Sequence, residues 1–299
     1  MLVLFHLTLI ACNNIYDVSL STKYTKCFDY PPPELRKKVL IIGLDGAPID
    51  TLTQKDTPFL YESFLKDGYE DSPTALELGT DGLSGSSAWS TILYGKRLRP
   101  EIPPSDRFYQ WKNPHNERSF LWKAKVDYLL KTASVADWKG INEVMLQQEG
   151  AKVHLVSHSY SAGFNFEMYS RANRIQFEQG VQEIRDGVDI LFLYFASPDH
   201  VAHAWGVHSE QYRKNLQDVD GYLRQVIHEL KGRIGEEWTV FVASDHARDA
   251  NGYDHYPDKS SMRSFLLSNR PIDTTGFPKD GDGRFLQTMI YPLVLRVFE

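Results

Sequence analysis

The sequence predicts an α/β fold with a mainly parallel central sheet and helices on both of its faces. Three apolar runs carry that expectation: Val39–Leu44, Ile190–Phe195 and Trp238–Ala243. They are short and almost unbroken by polar residues, as strands buried on both faces must be. Segments of helical periodicity lie between them, and strands alternating with helices imply a parallel sheet covered on each side. Each run also delivers an acid beyond its carboxyl end, Asp45, Asp199 and Asp245 in turn. Open α/β sheets bind ligands at that edge.

The elements follow in order. Residues 1–12 read as a leader, 13–37 as a polar linker stiffened by Pro31-Pro32-Pro33, and 38–299 as the folded domain. Strand one is Lys38–Leu44. Thr57–Lys66 spaces Phe59, Leu60, Phe64 and Leu65 as a helix does, with Gly68 as its stop. Ser87–Tyr94 reads as a helix capped by Ser87 and ended by Gly95. Arg97–Asn116, rich in Pro, aromatics and charge, reads as an irregular excursion. Helices are expected over Ser119–Lys131, Ala136–Gln148, Arg174–Asp186 and Glu210–Leu230, and a last one over Phe285–Val297. Strands are expected over Lys152–Val156, Asp189–Phe195, Thr239–Ala243 and Ser264–Leu267.

Composition narrows the function. The chain has 299 residues, 42% of them hydrophobic, and a formal net charge of −6, which disfavours a nucleic-acid scaffold, where a basic patch is expected. The apolar stretch Met1–Ala11 is too short to span a bilayer and has the length of a signal-peptide core. Leu9-Ile10-Ala11-Cys12 resembles a bacterial lipoprotein cleavage box, although no Lys or Arg precedes it. The expectation is an exported, periplasmic or extracellular protein, anchored to the membrane through a lipidated Cys12. Cys27 is the one other cysteine, and neither lies in a CxxC motif, so a thiolate zinc site is not expected.

The strand-end residues suggest a metal centre. Asp199 and His203 share a helix face if the chain turns helical there. Asp245 and His246 are adjacent, as suits a loop leaving a strand tip, and His255 follows in a Gly-containing segment that can fold back. One Asp after a strand is ordinarily a helix cap, and one His is ordinarily a satisfied polar residue. Six carboxylate and imidazole donors at three strand ends are harder to explain structurally, and they suit zinc or a similar ion. Six exceed the needs of one catalytic zinc, so two divalent ions are expected.

The order Asp45, a Ser/Thr-rich helix start, Asp199-x-x-x-His203, Asp245-His246 and His255 resembles the alkaline phosphatase superfamily, and within it the nucleotide pyrophosphatase/phosphodiesterase type. The resemblance runs from about Val39 to the C-terminus. It implies an alkaline phosphatase-like fold and hydrolysis of phosphate-ester small molecules, with Asp199, His203 and His255 on one zinc and Asp45, Asp245 and His246 on the other. It also implies a Ser or Thr nucleophile opening a helix beside the second metal. Trp89–Gly95 resembles that helix, and Ser84-Gly85 resembles the Ser-Gly of its start, so Ser84 is the nucleophile, with Ser86 the alternative. Metal coordination makes a serine hydroxyl nucleophilic, and a helix N-terminus offers N–H groups to a phosphoryl oxygen. A phosphoserine follows. No Cys/Ser-x-Pro-x-Arg element is present, so sulfate esters are disfavoured. A phosphomonoesterase and a catalytically inactive binding module are the alternatives. A phosphomutase would need a longer insertion after the nucleophile.

Other polar features have plainer readings. His154 and His158 flank a strand as ordinary polar positions. Phe108–Asn113 either stacks a base or caps the core. His208 precedes a helix cap at Ser209. Lys96, Arg97 and Arg99 read as solvated charge.

Overall fold

The computed structural model describes residues 34–66, 74–80, 85–96, 117–158, 165–254 and 259–299. They build an eight-stranded sheet in the order β4-β3-β5-β1-β6-β7-β2-β8. At its centre β1 (Arg36–Leu44) lies between β5 (Ile190–Phe195) and β6 (Glu236–Ala243), parallel to both. Beyond β5 come β3 (Thr132–Ala136) and β4 (His154–Ser157), also parallel. Beyond β6, β7 (Arg263–Ser268) runs antiparallel to β6 and to β2 (Ala75–Gly79), and the two-residue β8 (Phe285–Leu286) pairs parallel with β2. Only β7 therefore opposes the common direction.

Alternate residues of β1 feed two cores, one per face, as the strand period dictates. Leu40, Ile42 and Leu44 join the apolar stripe of α6 (Glu210–Lys231), including Tyr212, Leu216, Val219 and Leu223. Helices α4 (Phe166–Arg185) and α5 (Ser197–Trp205) pack on that face too. Val39 and Ile41 meet Trp89, Ile92 and Leu93 of α2 (Gly85–Tyr94), Phe120 and Leu121 of α3 (Phe120–Asp127), and Ile290 and Val294 of α7 (Ile290–Arg296). The expected α/β class and the flanking helices hold. Ser119 caps α3 by accepting from the Trp122 N–H, and Ser209 caps α6 by accepting from the Tyr212 N–H.

Several boundaries differ from expectation. The Thr57–Lys66 helix is a short α turn, α1 (Pro58–Leu60), widening into a π-helical turn over Tyr61–Leu65. Thr132–Ala136 is a strand, where the expectation is a gap between two helices and the first residue of the second; a π-helical turn over Gly140–Met145 follows it. Ser134 and Asn142 explain the choice, because the Ser134 hydroxyl donates to Asn142 Oδ1 at 2.6 Å inside the core. Ser87 lies within α2 rather than capping it, since the helix already begins at Gly85. Gly95 does end α2, with φ +67. The expected Phe285–Val297 helix starts late: β8 and a 3₁₀ turn, Gln287–Met289, precede α7. The Arg97–Asn116 excursion and the leader lie outside the described residues, apart from the linker end at Arg36, which opens β1. No helix among the described residues is long and apolar enough to cross a membrane.

Candidate metal centre

The carboxyl ends of β1, β5 and β6 meet at one buried point. Asp45 follows β1, Asp245 and His246 follow β6, and Asp199 stands in the first turn of α5 after β5. Asp45, Asp245 and His246 each offer a ligand atom, and the three atoms lie within 4.8 Å of one another. Asp45 is 5% exposed, Asp245 0% and His246 3%.

In each of these residues the protein fixes one polar atom and aims the other at the common point. Asp45 Oδ2 accepts from the Tyr194 hydroxyl, while its Oδ1 is buried and accepts no hydrogen bond. Asp245 Oδ1 accepts from the Gly46 N–H at 3.0 Å, while its Oδ2 is likewise buried and accepts none. His246 Nδ1 donates to Ala247 O at 2.9 Å, which sets the tautomer with a lone pair on Nε2. That nitrogen is 3.4 Å from Asp245 Oδ2 and 3.8 Å from Asp45 Oδ1.

The surroundings hold these atoms in place. Gln287, in the turn before α7, donates its side-chain N–H to Asp245 O. Ser244 Oγ donates to His246 O at 2.9 Å, and Ser264 Oγ on β7 donates to Ser244 O at 2.5 Å. Gly43 sits beside Tyr194 in the sheet register, where a Cβ would lie 2.7 Å from the Trp89 ring and 3.2 Å from Tyr194. Trp89 meets the Tyr194 ring edge-on at 5.2 Å, so α2 is anchored one side chain from Asp45.

Crowded anions raise proton affinity here. Burial, then the charges of Asp245 and Asp199, push the Asp45 carboxyl well above its ordinary range. Burial, with Asp199 nearby, lifts Asp245 to about 7. Burial and the Asp45 charge keep the Tyr194 hydroxyl protonated, as its donation to Asp45 requires. Buried carboxyls of this kind are neutralised either by protons or by a cation. A carboxylate–carboxylate–imidazole set converging on one buried point fits a zinc-like divalent ion.

Asp199 and His203 lie alongside. Asp199 Oδ1 is 3.9 Å from His246 Nε2, and its Oδ2 is 3.6 Å from His203 Nε2. The i, i+4 spacing on α5 thus works as expected. Arg248 joins them, 3% exposed, with its Nη2 donating to Asp199 Oδ1. Burial raises the cost of an Asp199 charge, but Arg248, then His203 and His246, outweigh it and hold that carboxyl well below its usual range.

His255 and Ser84 lie outside the described residues. Ser86 is in the first turn of α2. His154 on β4 sits 3.1 Å from the buried Glu183 of α4, an ion-pair position away from the centre. Sequence reasoning missed Tyr194, Arg248 and Gln287. Tyr194 is hidden within an apolar run. Arg248 had the better signal, a cation two residues after a ligand pair.

The sequence model of the family described as Type I phosphodiesterase / nucleotide pyrophosphatase matches residues 99–263, more than half of the chain. Among solved structures, phosphonoacetate hydrolase from Sinorhizobium meliloti 1021 is 11% identical with a TM-score of 0.55, covering 89% of this chain and 97% of that one. A putative sulfatase from Bacteroides thetaiotaomicron is 10% identical with a TM-score of 0.59, covering 88% of this chain and 70% of that one. At these identities the likeness concerns the fold. The chain spans 36% and 57% of the length of two other structures it matches.

Proposed function

The chain belongs to the type I phosphodiesterase / nucleotide pyrophosphatase family of phosphoric ester hydrolases, with an alkaline phosphatase-like fold, and from that premise we propose that it cleaves phosphodiesters through a serine at the start of α2. One observation carries the reading: Asp45 and Asp245 each leave a buried oxygen without a hydrogen bond, facing His246 Nε2. Two unmet carboxylate oxygens converging on an imidazole call for an explanation, and a bound cation supplies one.

Asp45, Asp245 and His246 would hold the ion, zinc by donor type. Bound there, it would supply Lewis-acid chemistry, acidifying the attacking hydroxyl and offsetting phosphoryl charge. Ser84 is the nucleophile in this reading, with Ser86 the alternative. Its Oγ forms a bond to phosphorus as the ester oxygen leaves with the bonding electron pair. Water then cleaves the phosphoserine and frees the hydroxyl. The first N–H groups of α2, a ten-residue helix, suit a phosphoryl oxygen. The rigid Trp89–Tyr194–Asp45 contact keeps helix and carboxylate in register. Tyr194 orients Asp45 and remains a donor throughout. The leader fits export of the enzyme, with anchoring through Cys12.

The test compares bis-p-nitrophenyl phosphate with p-nitrophenyl phosphate. Faster turnover of the diester is expected, lost in EDTA and restored by zinc. Ser84→Ala abolishes it. Preference for the monoester would make the protein a phosphomonoesterase, and metal binding without any turnover would make it a binding module.

A further inference from the structure

The half of the centre formed by Asp199 and His203 already contains a cation. Arg248 Nη2 donates to Asp199 Oδ1, Nη1 approaches His203 Nε2 at 3.3 Å and donates to Tyr253 O at 3.3 Å, and Nε donates to Gly46 O at 3.2 Å. Four of the five guanidinium N–H groups are thus engaged among the described residues, and one on Nη2 remains.

His203 is oriented as a cation ligand would be. Its Nδ1 is 3.2 Å from Asp254 Oδ1. A proton on Nδ1, directed to that carboxylate, turns the Nε2 lone pair inward, as in the carboxylate–histidine–metal arrangement. Here the lone pair meets the Arg248 guanidinium.

The backbone is shaped around this arginine. Gly46 has φ +59, and a Cβ there would collide with the Arg248 guanidinium and lie 2.8 Å from Asp199 Oδ1. The loop carrying the Tyr253 carbonyl is closed by Asp249, whose Oδ1 accepts from the Tyr253 and Asp254 N–H groups at 3.1 and 3.3 Å. The Asp249 N–H in turn donates to Asp254 O at 2.7 Å. A side chain held by two loops and a helix is built in, rather than swung in by chance.

We propose that Arg248 is the second cation of this centre, so that the protein binds one divalent ion, at Asp45, Asp245 and His246, and uses the guanidinium where a two-metal relative would hold its second ion. The proposal rests on the hydrolase reading above and changes its stoichiometry. A guanidinium brings one positive charge and a directed N–H, which suits a non-bridging phosphoryl oxygen. It cannot acidify a water as an ion does, so Arg248 contributes charge and orientation only.

Metal-stripped full-length protein is titrated with zinc at pH 8 by calorimetry, and bound zinc is counted by elemental analysis after dialysis. Wild type is expected to bind one equivalent, Asp245→Asn none, and Asp199→Asn still one. Arg248→Ala, which vacates the position, is expected to bind two. If Arg248→Ala does not fold, Asp199→Asn decides alone, because a two-ion centre would lose an equivalent there. Two equivalents in wild type that hydrolyses the diester would overturn the arginine assignment and leave the hydrolase reading intact. No bound zinc and no hydrolysis would remove both.

Discussion

Lys38 near the amino end of β1 is as deeply buried as Asp45 just beyond its carboxyl end, yet the two charges live in opposite surroundings. Lys38 Nζ donates to Val188 O at 2.7 Å and Gly187 O at 3.3 Å, pairs with Asp189 at 3.0 Å and Glu236 at 3.6 Å, and lies 5.5 Å from the Trp238 ring. Its acidic neighbour Glu236 is itself supplied with donors from Arg233 and Trp238. Burial opposes the Glu236 charge, but those hydrogen bonds outweigh it and hold the carboxyl at about 2. At the other end burial lifts Asp245 to about 7, and two carboxylate oxygens accept nothing. One strand therefore has a satisfied end that stabilises the fold and an unsatisfied end that stores the demand for a ligand. The contrast supports the proposed metal site at the carboxyl end, where two unmet oxygens converge on an imidazole, whereas the charges at the amino end are partnered.

The sharpest way to break the comparison is to neutralise one charge at each end. Asp245→Asn keeps an oxygen for the Gly46 N–H and removes the repulsion with Asp45. It should abolish zinc binding and hydrolysis while making the metal-free protein more stable at pH 8, by at most about 4 kcal/mol, since burial lifts the carboxyl from 3.8 to about 7 and each unit is worth about 1.4 kcal/mol. Lys38→Met should do the reverse. Leaving Asp189 and Glu236 without their buried partner should cost about 3–5 kcal/mol, with zinc stoichiometry and turnover per folded molecule unchanged. Urea unfolding of metal-free protein with parallel zinc titration measures both. A stability loss in Asp245→Asn would mean that the carboxyl end is structural after all.

Tyr194→Phe tests how far the satisfied half of each ligand matters. Asp45 would lose the donor to its Oδ2 and with it a fixed orientation. Loss of such a supporting hydrogen bond typically weakens metal affinity by about 10–100-fold. The ring stays to pack on Trp89, so the melting temperature of the metal-free protein should move little. An unchanged zinc affinity would mean that the sheet alone orients Asp45.

These contrasts were partly legible in the chain. The central strands were readable because burial on both faces leaves continuous apolar runs, and their ends announced Asp45, Asp199 and Asp245. The i, i+4 pairing of Asp199 and His203 on α5 was equally readable, being local. What escaped depended on distant partners. β3 is Thr-Ala-Ser-Val-Ala, and its polar Ser134 is buried only because Asn142 folds back to meet it. β2 exists through its pairing with β7 nearly two hundred residues on, where Glu77 meets Arg263 at 2.7 Å. Gln287 falls within the expected Phe285–Val297 helix, yet its place in a 3₁₀ turn lets it reach Asp245 O. Arg248 belongs to the same class, for its role is set by Gly46, Asp199 and His203 together. Period and composition record an element's own faces; they do not record a buried polar partner on another element.

Asp137 extends the comparison to a third buried acid. It follows β3, accepts from the Ala196 N–H at 2.9 Å through Oδ1, and has its Oδ2 buried without a hydrogen bond. Burial raises its carboxyl from 3.8 to about 7, the hydrogen bond from Ala196 only partly opposing it. The folded chain thus binds a proton there that the unfolded chain has already released, across the window between those two values. With more protons on the folded state, stability falls as pH rises through that window, by at most about 1.4 kcal/mol per pH unit, and levels off above it. Asp137→Asn removes the titrating group while keeping an acceptor for Ala196. In metal-free protein the stability difference, variant minus wild type, should therefore grow from pH 5 to pH 7 and then stay constant. A difference that is flat across this range would show that Asp137 is solvated like an ordinary carboxylate, and that unmet acceptors at this edge of the sheet are confined to Asp45 and Asp245.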